Sequence, residues 1–486
     1  MISPVHFLLR VPARVEAQAR HALGVLSDAL GIPFRVLADP EQDQVDVVYS
    51  DTPVPGLGRL RLPCDVSAYE PDAKHTHFSV DETKVWGREK ATPDTWDLIG
   101  TTFRLISLLD EDQVSEEHRD RRGVFSVSSL PAARERMCAE PLVENHAAIL
   151  LQRLSHIRAG LKESAVPRWP SGKQYAVVLT HDTDAVSLGA GMEMLYNLAK
   201  GLIRRDTAHL RMFRDGFRYL RKADRNPLFG FPQWREIEAA RLRSCFFLYA
   251  KSPKLKRDLN DCRSSVVEQD IDWNLLRSMA DDGWEFGFHA PIHAKEDPSA
   301  FVWGKEFIER QLGKSISGLR HHYWALDWRR PYLTFRLHEE AGFHYDASIA
   351  WRDRAGLRAG TCLPYMPFDL EQQAPINIWE IPTALMDGHI CKSAEPSMQA
   401  AAQAWDLIRR IKSSGGVGTL DWHTETVCNS YCYQGYLTRL LELMHLFEDS
   451  SAWLTTPGEL AQHWNARHEQ MEARTRNRDA VIVAMA

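Results

Sequence analysis

No run in this 486-residue chain approaches the roughly 18 consecutive apolar residues that a transmembrane helix needs, which excludes a helical span. The start, Met1-Ile-Ser-Pro-Val-His-Phe-Leu-Leu-Arg10, lacks the long apolar core of a secretory signal, because His6 interrupts it. A first strand is expected there instead. A surplus of positive charge is also missing. With 59 Lys and Arg against 65 Asp and Glu the net charge is −6, which carries no nucleic-acid signature. Cysteine is sparse and unpatterned, at eight residues without a Cys-x-x-Cys pair. Reduced thiols in a cytoplasmic protein follow from that usage, and burial rather than metal binding is expected of Cys428 and Cys432. What is present is an ordinary globular composition, 44% hydrophobic and 26% charged, long enough for two or three domains.

Four short pieces far apart in the chain hold a set of groups suited to one hydrolytic site. They are Thr180-His181-Asp182-Thr183-Asp184, His289-Ala-Pro-Ile-His293, Arg320-His-His-Tyr323 and Leu420-Asp-Trp-His423. The first two offer a carboxylate and two imidazoles, the donor set of a catalytic zinc-type site, with a second carboxylate free to act as base. The last two add an arginine and a histidine, suited to orienting a base and protonating a leaving group. Alone each piece is unspecific, and among 20 histidines a pair four apart is expected roughly once by composition. Their placement is more specific. Tyr175–Thr180, Trp284–Phe288, Ile316–Arg320 and Gly415–Trp422 read as short apolar strands, so all four pieces stand at strand C-terminal ends, as in barrel-type α/β enzymes. Pro291 disfavours helix at Ala290, which excludes a helical zincin pair. His181 is expected to bond backbone at its strand end.

From about Lys173 to Trp464 the chain resembles the polysaccharide deacetylase superfamily, the NodB-homology domain of carbohydrate esterase family 4. Thr180–Asp184 is similar to its first motif, in the variant with one residue between the aspartates. The resemblance implies Asp182 as catalytic base, Asp184, His289 and His293 as metal ligands, Arg320 as holder of the base and His423 as acid. It implies one divalent metal ion, with zinc the first expectation. Gly342-Phe-His-Tyr-Asp346 is the loosest match, to the aspartate that orients the acid histidine. Ser244–Tyr249 is similar to the second strand and Trp453–Leu460 to the closing strand and helix. Three positions depart from the pattern: His181, Ala290 and His322, the last standing where the family carries proline. They bear on the substrate rim more than on the chemistry.

The implied fold is α/β: a distorted (β/α) barrel over residues 174–466, behind a smaller α/β domain at 1–158 and a linker at 159–173, with a tail at 467–486. In the first part, strands are expected at Val5–Val11 and Phe34–Ala38, with a helix from about Ala13 to Leu30 ended by Gly31. A second helix is expected from Thr92 as N-cap with Pro93 first, and a third from Pro141-Leu-Val-Glu144 through Ile157. Asp120-Arg-Arg-Gly-Val-Phe125 and this Pro-Leu-Val stretch resemble an uncharacterised bacterial domain found ahead of deacetylase-like domains. An insertion at about 185–243 holds eight basic residues between Lys200 and Lys222, interleaved with apolar ones. It reads as a helical cap with a solvated basic face, or as a docking surface for an anionic polysaccharide or membrane. Tyr323, Trp324, Trp328, Trp351, Trp379 and Trp422 cluster around the pieces, with Tyr323 the candidate sugar contact. The function expected is removal of acetyl or similar acyl groups from an amino sugar or polysaccharide. The alternatives are a non-sugar amidohydrolase of the same superfamily and a silent scaffold in surface-polysaccharide synthesis.

Overall fold

Short β-branched and aromatic runs make the strands of this protein, and amphipathic stretches between them make the helices. The computed structural model describes residues 3–38, 44–220, 226–239, 241–255, 265–267, 271–391, 398–447 and 449–483. Strands β1 (Val5–Arg10), β2 (Phe34–Leu37), β3 (Val47–Ser50) and β4 (Leu60–Pro63) form a parallel sheet in the order β2-β1-β3-β4. Helix α1 (Ala13–Leu30) buries Val15, Ala19, Ala22, Leu23 and Leu26, one stripe at helical spacing. It ends where Gly31, at φ 70°, donates its N–H to the Ser27 carbonyl. A hairpin follows, β5 (His75–Val80) against β6 (Thr83–Arg88). Helix α2 (Leu98–Ile106) starts later than the Thr92-Pro93 pair predicts. Thr92 and Thr95 close a turn on each other, and Asp97 accepts from the Gly100 N–H as the true N-cap. Helices α3 (Ala132–Arg136) and α4 (Leu142–Ile157) complete this part.

The second sheet positions the site. Its long central strand β7 (Tyr175–Asp182) is followed by helices α5 (Gly191–Arg204) and α6 (Thr207–Gly216), then β8 (Cys245–Tyr249), β9 (Glu285–Ala290), β10 (Gly318–His321) and β11 (Tyr345–Asp346). A small antiparallel pair, β12 (Phe368–Asp369) and β13 (Ala374–Pro375), precedes β14 (Trp379–Glu380), β15 (Leu385–Met386), β16 (Val417–Asp421) and β17 (Ala452–Thr455). The order is β14-β11-β10-β9-β8-β7-β16-β15, every pairing parallel, with β17 on the first half of β7 and β8 on its second half. Residues 381–384 run from one edge to the other: Ile381 N–H donates to the Asp346 carbonyl and Ala384 N–H to that of Thr419. The sheet therefore curls into an incomplete barrel whose C-terminal strand ends share one mouth. Gly318 makes room for the Tyr345 ring on the neighbouring strand, since a Cβ there would fall 1.8 Å from it.

The two sheets share a core. Leu23, Leu26, Phe103 and Leu150 pack in one cluster with Ala176, Val178, Phe247 and Val417. Buried Arg358 grips buried Glu111 through two 2.7 Å hydrogen bonds. The segment 159–173 is packed in as well: Val166 N–H donates to Gly31 O, and Trp169 Nε1 to Gly415 O at 2.9 Å. Among the described residues no helix is long and apolar enough to cross a membrane, and the seven described cysteines are free thiols. Arg221 and Lys222 of the basic stretch lie outside the described residues.

Candidate metal centre and hydrolytic site

Parallel pairing brings the four sequence pieces together because each ends a strand at the same mouth. Register fixes the first contacts: Arg320 on β10 stands opposite His289 on β9, and Asp421 on β16 opposite Thr180 on β7. The guanidinium of Arg320, fully buried, donates to Asp182 Oδ1 at 2.9 Å, Thr180 Oγ1 at 2.7 Å, Thr383 Oγ1 at 3.0 Å and the Ala347 carbonyl at 2.9 Å. It also lies 3.1 Å from Asp421 Oδ1. Two buried carboxylates thus share one cation and cannot both hold a charge easily. Burial, reinforced by the charge of Asp182, pushes the Asp421 carboxyl well up. Burial also works against the Asp182 anion, but the charges of His289, Arg320 and His423 outweigh it and hold that carboxyl below the usual range. Asp182 is the ionised member.

His289 is 1% exposed, with Nδ1 3.1 Å from the Arg320 carbonyl. That contact requires the proton on Nδ1, so whenever the ring is neutral its lone pair is on Nε2. This Nε2 is buried without a hydrogen bond and faces Asp184 Oδ1 at 3.3 Å and Asp182 Oδ2 at 3.6 Å. A neutral imidazole aimed at two carboxylates in a largely buried pocket is a cradle for a cation, so the residues present fit a divalent metal. His322 Nε2 lies 3.3 Å from Asp184 Oδ2. One donor atom each from Asp184, His289 and His322 fall within 4.8 Å of one another, and those of Asp182, Asp421 and His423 do likewise.

His293 is not brought into either group. Pro291 ends β9, the chain turns into a 3-10 helix at Ile292–Glu296, and His293 Nδ1 pairs with Glu296 Oε1 at 3.0 Å. His322, which reads from sequence only as a departure from the family's proline, lies beside Asp184. His423 has Nε2 3.7 Å from Asp184 Oδ2 and Nδ1 3.0 Å from Asp387 Oδ2, while its backbone N–H donates to that same oxygen at 2.9 Å. Burial pulls its pKa down, but Asp387 more than offsets this and raises it well above the usual imidazole value.

The carboxylate bonded to His423 is thus that of Asp387, whereas Asp346 lies elsewhere. Asp346 sits on β11, beside β10, and accepts from Ser348 N at 2.6 Å and Oγ at 3.0 Å, with His338 Nδ1 3.3 Å away. His423 follows β16, so its carboxylate comes from the turn after the adjacent β15. The signal in sequence was only an Asp-Gly-His after a short apolar run. His181 is a structural residue: Nδ1 meets the Trp422 carbonyl at 2.6 Å and Nε2 meets Glu238 Oε1 at 2.7 Å. Of the six aromatics expected at the mouth, Trp324, Trp328, Trp351, Trp379 and Trp422 are buried and Tyr323 is 40% exposed. Tyr323 and Trp324 occupy left-handed backbone at φ 57° and 55°, conformations that cost non-glycine residues energy and concentrate at functional sites. The Arg122 guanidinium lies 4.1 Å over the Tyr323 ring, so the Asp120–Phe125 stretch reaches this rim.

No protein-family model and no curated protein matches the sequence. Solved structures do match the fold, the following at low identity. A polysaccharide deacetylase of Mycobacterium smegmatis aligns at 19% identity and TM-score 0.40, over 62% of this chain and 93% of its own. One of Pseudomonas aeruginosa PAO1 aligns at 14% and 0.39, over 64% and 97%. The chain is likewise similar to the allantoinase Puue, at 15% identity and TM-score 0.41, over 63% of this chain and 96% of that one.

Proposed function

We propose that this site removes an acetyl or similar acyl group from an amino sugar or polysaccharide, breaking a carbon–nitrogen bond with the help of one divalent metal ion, zinc by its donor set. The observation that supports the reading best is the pairing, in one buried cluster, of a charged carboxylate held by arginine with a charged imidazole held by carboxylate. When bound at Asp184, His289 and a second imidazole, the metal would polarise the acyl carbonyl and acidify a water. Asp182 takes a proton from the attacking water, and Arg320 keeps its carboxylate anionic and aimed. His423, cationic beside Asp387, gives its proton to the departing amine, which is a poor leaving group without it. Tyr323, 40% exposed at the rim, is the aromatic placed to contact a sugar. These roles fall within residues 174–466, and residues 1–158 supply part of the rim through Arg122.

The test compares leaving groups. Asp182→Asn should retain metal and lose about 10² to 10⁴ in turnover on every substrate. His423→Ala should lose heavily on an N-acetylated amino sugar and little on an aryl acetate, whose leaving group needs no proton. Equal losses on both would remove His423 as acid. A panel including cyclic imides and ureides decides between a sugar amide and a small cyclic amide, and full metal loading with no turnover on any of them would leave only a scaffold.

A further inference from the structure

In the hairpin of α5 and α6, which follows Asp184, helix α5 turns an apolar stripe to the outside. Leu195, Ala199, Leu202 and Ile203 recur at the i, i+4, i+7, i+8 spacing that elsewhere faces a core, yet all four are exposed. Leu195 is 60%, Leu202 64% and Ile203 82% exposed. The opposite face of α5 is the buried one, and it holds Glu193 and Asn197 bonded to each other at 2.7 Å. After α6, Phe217 and Leu220 are 58% and 57% exposed, and the Phe217 ring packs edge-on to Phe213 at 5.3 Å. Exposed arginines border this apolar strip: Arg204 and Arg205 at the end of α5, then Arg211, Arg214 and Arg218 at i, i+3, i+7 along α6 and its extension. Arg214 and Arg218 share Asp215, at 3.0 and 3.9 Å. Of the other two acids on the hairpin, Asp206 caps α6 and Glu193 is buried.

We propose that this hairpin docks the protein onto an anionic lipid bilayer, with Leu195, Leu202, Ile203, Phe217 and Leu220 entering the headgroup layer and the arginines meeting lipid phosphates. Apolar side chains standing proud of two short helices, fringed by guanidinium groups, have the form of an interfacial anchor and not of a groove. The basic fringe on a chain of net charge −6 selects a negative surface. A second copy is a poorer occupant, because a two-fold contact through this face would set the arginines against their own counterparts. The position also suits the site. Asp215 Oδ2 accepts from Tyr431 Oη at 3.1 Å and Met212 touches Cys432, both in the loop that follows His423, so the anchor is attached to the rim of the candidate site.

The experiment is sedimentation of the full chain with vesicles of phosphatidylcholine alone or mixed with phosphatidylglycerol. Binding should rise at least tenfold with the anionic lipid, fall as salt is added, and be lost in Leu202→Ser/Ile203→Ser and in Arg204→Glu/Arg211→Glu, whose circular dichroism should be unchanged. Equal sedimentation with both vesicle types, or retention in both variants, overturns the proposal. Self-association that the variants abolish, without vesicle binding, would assign the face to a second copy instead. None of these readouts depends on the hydrolytic activity.

Discussion

At the scale of single residues, the site turns on which groups carry charge. Asp182 and Asp421 are both within reach of Arg320 and His423, yet only Asp182 also faces His289, and that difference favours it as the ionised member. The second imidazole of the metal set is open to a direct measurement. The spacing in sequence nominates His293, and the geometry nominates His322 beside Asp184. Elemental analysis should find metal lost from Asp184→Asn and His289→Ala, with both proteins folded. Whichever of His293→Ala and His322→Ala also loses it identifies the third ligand, and retention in all four variants would eliminate the centre. Asp387 sets the charge of His423. Asp387→Asn should lower the His423 pKa and move the alkaline limb of the rate profile to lower pH, as a pH series on an N-acetylated amino sugar would register. An unshifted limb would mean that another group is the acid. Asp387 itself was not legible in the sequence, because nothing local marks a carboxylate that reaches across to a neighbouring strand.

At the scale of elements, strand ends were readable, as were the starts of α1 and α4, while the start of α2 was not. Apolar runs before Asp182, His289 and Arg320 are strands in the structure, since a fully buried parallel strand leaves an uninterrupted apolar signature. The start of α2 was displaced by a stronger competitor. Asp97 is buried and accepts from the N–H groups of Gly100 and Asp65 and from Tyr49 Oη, a three-way tie that no exposed threonine offers. Burial pushes its carboxyl up to about 7. Because this folded-state value lies above the unfolded one, its stabilising contribution is full below about pH 4 and is lost as pH rises through 7. The swing is on the order of 4 kcal/mol at most. Urea denaturation across that window should show the decline, and Asp97→Asn should flatten it. A slope unchanged by the substitution would place the charge elsewhere.

At the scale of the whole molecule, the first 158 residues and the barrel share one apolar cluster and the buried Glu111–Arg358 pair. Arg358→Ala leaves Glu111 buried without its cation and should cost about 3–5 kcal/mol, with both parts unfolding in one transition. A small loss, or two separate transitions in denaturant, would show that the pair couples nothing. By itself the sequence determined the chemistry's ingredients and the strand ends that bear them, because residue type and apolar runs are local properties. Only the tertiary structure decided that His322 lies beside Asp184, that Asp387 bonds His423, and that the Asp120–Phe125 stretch reaches Tyr323. Each of these joins residues whose nearness depends on how a nine-stranded sheet curls, and that curl is set by the packing of many side chains at once.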